Sequence, residues 1–148
     1  MIVLEFLIQF VVAAIATLAF AVIFAAPKSE LVFCGIAGAI GWAFYWCLVQ
    51  ADFNMAFANL IGAFALTLYA RITSVLRKNP VTVYLITGIF PLVPGAGIYY
   101  TSYYLIMNNT EQFNYYGLNT IKTAGAIVLG ITLGMSIPQK LFNLVRAS

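Results

Sequence analysis

The chain lacks histidine, and only four carboxylates and seven basic residues are spread over its 148 positions. Charged residues make up 7% of it, against about 25% in a soluble domain. So little charge cannot solvate a globular surface, which excludes a water-soluble fold. The acids, Glu5, Glu30, Asp52 and Glu111, form no cluster. Metal-dependent chemistry therefore has no ligand set to rest on, and no cofactor is implied. A GxxxxGK[ST] phosphate loop is also absent, which argues against ATP hydrolysis by this chain. The net charge of +3 comes from too few residues to signal nucleic acid. Cys34 and Cys47 fall in one apolar segment, roughly 20 Å apart if that segment is one helix. They cannot pair with each other and read as small buried hydrophobes.

Hydrophobic residues, by contrast, make up 64% of the chain, and the mean hydropathy is +0.99. A helix needs about 20 apolar residues to cross a bilayer. Five such segments are expected, over residues 2–25, 31–49, 55–70, 81–107 and 117–137. They make one all-α transmembrane domain. The third is short, and its helix is expected to continue to Leu76, with Arg71 snorkelling to the interface. The first segment carries a cleavage-like Ala19-Phe20-Ala21, but Glu5 stands where a signal peptide would be basic. Lys28, Arg71, Arg77, Lys78, Lys140 and Arg146 all fall on one side of this arrangement, and Asp52 and Glu111 fall on the other. The positive-inside rule then gives an outer N-terminus and a cytoplasmic C-terminus. A re-entrant hairpin over residues 81–107 would split the basic residues four and two, so a full crossing is preferred. Trp42, Tyr45, Trp46, Tyr115 and Tyr116 sit where aromatic rings favour the interface.

The fourth segment contains Phe90-Pro91-Leu92-Val93-Pro94-Gly95-Ala96-Gly97. Lipid offers no hydrogen bonds to a broken helix, so irregular backbone must be covered by protein or line a cavity. Ten helical residues from position 81 rise about 15 Å, half of a core about 30 Å thick. Pro91 and Pro94 are thus expected near the midplane. A second half-helix would start near Gly95, with free N–H groups and a positive dipole end suited to a carboxylate. The plainer alternative is a proline-kinked structural helix. Tyr99, Tyr100, Thr101, Tyr103 and Tyr104 either line an outer vestibule or anchor the interface.

In the fifth segment Lys122 is an intramembrane ionisable residue, a functional candidate by type that would otherwise snorkel outward. It borders a face formed by Asn119, Thr123, Ala126, Gly130 and Gly134. Gly130 and Gly134 make a GxxxG packing motif. Gly35 with Ala39, and Ala58 with Gly62, repeat the four-residue spacing, and Asn59 adds a polar group. These faces read mainly as helix packing, with enough left over for a homo-oligomer or a larger partner. Glu5 and Gln9 share a face of the first segment, continued by Ala13 and Ala16, and a Glu5–Lys122 ion pair is expected.

Nearly the whole chain resembles the small subunit of the split threonine/serine exporter family. The similarity rests on the run from Ala19 to Pro27, on Phe90–Gly95 followed by Tyr99 or Tyr100, and on Leu129-Gly130-Ile131-Thr132-Leu133-Gly134 leading into Ser136-Ile137-Pro138. It implies a multi-pass protein of the bacterial inner membrane that exports small carboxylates: threonine, serine or dicarboxylates such as succinate. It also implies proton-driven export and a larger membrane subunit of the same exporter. Of the proposed site, Pro91, Pro94 and Gly95 carry over by motif. Gly97, Asn119, Lys122 and Thr123 are added from the residues themselves. A non-transporting scaffold for a partner membrane protein is the competing reading. A membrane-embedded enzyme lacks the necessary groups.

Overall fold

The structure, a computed structural model, describes residues 2–139. Among these, six α-helices follow in order: α1 Ile2–Ile23, α2 Leu31–Gln50, α3 Met55–Arg77, α4 Val81–Gly88, α5 Gly95–Ile106 and α6 Thr110–Ser136. Short 3-10 turns, Lys28–Glu30 and Phe90–Leu92, precede α2 and α5. By length and apolarity α1, α2, α3 and α6 each suffice to cross a membrane. The α4 and α5 segments satisfy the same test together, bent by 55° at the break. The chain is a multi-pass helical membrane protein.

Turn chemistry sets the helix ends. After α1, Ala25 takes a left-handed φ of 52°. Ala26 N–H then reaches the Ala21 carbonyl, and Ala25 N–H the Val22 carbonyl. This Schellman closure satisfies carbonyls that the helix end would orphan, so α1 stops at Ile23 rather than at residue 25. Asp52 after α2 and Asn108 after α5 close their helices in the same way. Asn54 caps α3, its Oδ1 accepting from Ala56 N–H at 2.8 Å. The helix runs on to Arg77, one residue past the expected end at Leu76. The last helix starts at Thr110, earlier than residue 117, because Asn109 caps it by accepting from Gln112 N–H at 3.2 Å.

Small residues bring the helices together. Around α2, Gly35 and Gly38 face Ala14 and Thr17 of α1, and Gly41 faces Gly62 of α3. Contacts on several sides place α2 at the centre. Gly130 of α6 stands against Leu60 and Ala63 of α3, and Gly134 against Thr67. Such close backbone approach replaces the hydrophobic effect as the source of helix association in lipid. α5 packs on α6, with Gly97 opposite Thr120 and Gly117 opposite Thr101. It therefore climbs toward the start of α6 and does not return toward α4.

Two cations tie the opposite end. Arg71 is not a snorkelling residue: it is 6% exposed. It donates to the carbonyls of Gly134 and Met135 at 2.8 and 3.1 Å, to that of Ile137, and to Gln139 Oε1 at 2.7 Å. The end of α6 has unpaired carbonyls and a negative dipole, so a guanidinium that arrives from α3 answers both. Glu30, 2% exposed, accepts from Arg77 at 2.9 Å and from the Tyr84 hydroxyl at 2.7 Å. That network joins the starts of α2 and α4 to the end of α3. Arg71→Ala removes the donors from three carbonyls at the end of α6, that of Gly134 buried. It should cost about 2–3 kcal/mol, read as a lower thermal midpoint in detergent, whereas a surface snorkel would cost almost nothing.

Candidate functional site

The break is held in place before it is used. Leu92 is nearly fully buried, with its methyl groups against Gly41 and Gly62, close to mid-length of α2 and α3. Phe90 stacks on Phe20 at 4.2 Å. From this anchor the chain turns sharply. Gly95 N–H donates to the Val93 carbonyl at 2.8 Å across Pro94, whose φ and ψ are −76° and 59°. These values define an inverse γ-turn. The next bond, Ile98 N–H to the Pro94 carbonyl, begins the regular ladder of α5. Among the described residues, the N–H groups of Ala96 and Gly97 meet no acceptor.

Those donors line a cavity of about 490 Å³ between α2, α3, the break, α5 and α6. Pro91, Pro94, Gly95, Gly97, Asn119 and Thr123 all border it. Lys122 does not: it is exposed and absent from the lining. Its ion pair with Glu5 is not formed either. α1 packs on α2 while α6 packs on α3 and α5, so the two residues stand at opposite edges of the helix array. The ion pair found among the described residues is Glu30–Arg77. The packing glycines and alanines lie elsewhere: Gly35, Ala39, Ala58, Gly62, Gly130 and Gly134 are all buried between helices.

Several lining residues escape a reading of the sequence, Tyr115, Tyr116 and Thr120 among them. Trp42 and Tyr45 look like interfacial anchors, yet they border the cavity. Trp42 Nε1 donates to Gln9 Oε1 at 2.9 Å, which fixes the indole through the polar group of α1. Asn59 looks like a packing residue. It is 4% exposed, and its Nδ2 donates to the Met55 carbonyl at 2.8 Å. That bond sets the amide's orientation, since only the nitrogen can donate. Its Oδ1 is left buried without a partner. An unsatisfied buried acceptor costs about 1–3 kcal/mol, so its retention beside a cavity needs a reason. The only sequence signal was a lone amide inside an apolar span.

The tyrosines divide. Tyr115 and Tyr116 line the cavity. Tyr99, Tyr100, Tyr103 and Tyr104 form a ring network on α5, joined to α6 through Tyr116 at 5.1 and 5.5 Å. The lining carries no formal charge. Its polar groups are backbone amides and side-chain hydroxyls and amides. The cavity's volume lies within the roughly 300–1,000 Å³ of small-ligand sites.

The family model described as "Threonine/Serine exporter, ThrE" matches residues 9–137. The chain belongs to the threonine/serine exporter family. No solved structure matches it.

The two glycines of the half-helix start should behave differently. A Cβ on Gly95 meets nothing within 4 Å, whereas one on Gly97 collides with the Thr120 hydroxyl. Gly95→Ala should leave the thermal midpoint unchanged. Gly97→Ala should lower stability by about 1–3 kcal/mol, the usual cost of overpacking.

Proposed function

We propose that the chain is one membrane subunit of a secondary exporter of small carboxylates, working with a larger membrane subunit in the bacterial inner membrane. Threonine or serine is the primary substrate class. The carboxylate accepts hydrogen bonds from Ala96 and Gly97 N–H at the positive end of α5. Asn59 Oδ1 accepts from the ammonium or the hydroxyl group after a small adjustment. The single observation that carries this reading is the coincidence of free helix-start donors and an unpartnered buried acceptor around one cavity. A zwitterion brings no net charge into the uncharged lining. A dicarboxylate such as succinate calls for a cation from outside this chain, which the larger subunit would supply.

Under the positive-inside orientation, the end bearing Lys28, Arg77 and Lys78 faces the cytoplasm. The cavity then opens toward the outer side, and Leu92 between Gly41 and Gly62 closes the inner path. Export proceeds by rocking α4 and α5 against α2 and α3, so that the same site is loaded from the cytoplasm and emptied outside. Proton drive fits the exporter role. Glu5 does not line the cavity, so the coupling acid is assigned to the partner.

Efflux of threonine from cells or vesicles that contain both subunits tests this reading. Gly95→Leu projects into open space and should cut efflux at least tenfold while the subunits still co-purify. Asn59→Leu should raise the KM about tenfold, the equivalent of about 1.4 kcal/mol, without lowering the thermal midpoint. Normal efflux in both variants would overturn the site. Lost efflux together with a lost complex would favour the scaffold reading.

A further inference from the structure

Glu5 and Lys122 are exposed charges on apolar helices, at the two edges of the array. Their heights can be compared through the helices between them. Gly130 of α6 meets Leu60 and Ala63 of α3, and Gly62 of α3 meets Gly41 and Tyr45 of α2. Trp42 and Trp46 of α2 meet Gln9 and Phe6 of α1. Along that chain of contacts, Glu5 stands level with Gly125 of α6. Lys122 lies about one turn away, a gap of about 5 Å that a lysine stem spans. The two helices also run in the same direction.

Below each charge the same helix face stays exposed. On α1 the exposed residues Glu5, Val12, Ala16 and Ala19 share a face. On α6 the exposed residues Lys122, Gly125, Leu129 and Thr132 do the same. Gly125 has no atom within 4 Å of a Cβ position, so its backbone is open to a close neighbour. A lone charge facing lipid is expensive, and small residues on an exposed membrane face favour helix contact. One edge therefore offers an acid and the other a base, at matching height, on parallel helices.

We infer that copies of this chain associate head to tail, with the α1 edge of one protomer against the α6 edge of the next and Glu5 paired to Lys122 across the interface. The partner is a second copy because the complementary charge is already present on the opposite edge of the same chain. Such a heterologous contact repeats, closing into a ring if the rotation allows. Within each protomer it leaves the cavity lining untouched.

Disulfide trapping in native membranes tests the contact, in full-length chains with Cys47→Ser to remove the exposed native thiol. Two differently tagged copies, one Glu5→Cys and one carrying Gly125→Cys at the same level, should cross-link to each other. A chain carrying both substitutions should give a ladder. Charge reversal supplies the second reading, with cysteines placed instead at the exposed Val12 and Thr132, which the same register puts level. Glu5→Lys or Lys122→Glu alone should lower trapping about fivefold, equivalent to about 1 kcal/mol, and the two together in one chain should restore it. No mixed cross-link, cross-links between like positions only, or trapping to a different protein alone would overturn the proposal. So would a double reversal that stays as low as the single ones.

Discussion

A bilayer supplies no hydrogen bonds, and the rest of this structure follows from how the chain meets that constraint at its one long interruption. Between Gly88 and Gly95 the backbone leaves the α-helix. A 3-10 turn and the inverse γ-turn at Pro94 recover part of the lost bonding locally. Ala96 and Gly97 N–H remain over, and they face a cavity rather than lipid. The same device that solves the solvation problem leaves two backbone donors at the cavity lining. Two prolines force the break, and the protein gains from it a dipole end placed inside the helix array.

The break stays rigid because its surroundings are packed through glycine and alanine. Leu92 sits in the crossing of Gly41 and Gly62. Large side chains there would separate α2 from α3 and release the anchor. At the far end, Arg71 and the Glu30–Arg77–Tyr84 network bind helix ends to each other with charge-assisted hydrogen bonds. These two groups fix where α4 starts and where α6 finishes. The cavity side, by contrast, is held by tyrosine stacking and by a single Trp42–Gln9 bond.

The all-helical membrane class, the interrupted segment and the family were legible from residues alone; four helices suffice to cross by length and apolarity, and the bent α4–α5 pair is the fifth candidate. Hydropathy runs are long, and two prolines with two glycines leave no doubt about an interruption. The borders were less legible. Ala25, Asp52 and Asn108 end helices through left-handed turns that no hydropathy pattern announces. Six of the proposed cavity residues meet in space, because the half-helix start and one face of α6 were both readable from spacing. Trp42, Tyr45 and Asn59 were not, since a buried aromatic and an interfacial one look alike in sequence. Arg71 and Glu30 were missed as structural groups for a similar reason: charges near span ends look like boundary markers until their partners are known. The Glu5–Lys122 pairing failed within the chain because the order of helices in space is not their order in sequence.

The central claim is that substrate occupies the cavity at the start of α5. The most direct measurement is labelling of Gly95→Cys in a Cys47→Ser background by a membrane-impermeant thiol reagent, in membranes that contain the whole exporter. Labelling from the outer face, slowed by threonine in proportion to occupancy and unaffected by a non-substrate amino acid, is the predicted result. Labelling that threonine does not slow, in an exporter that still transports, would contradict the account.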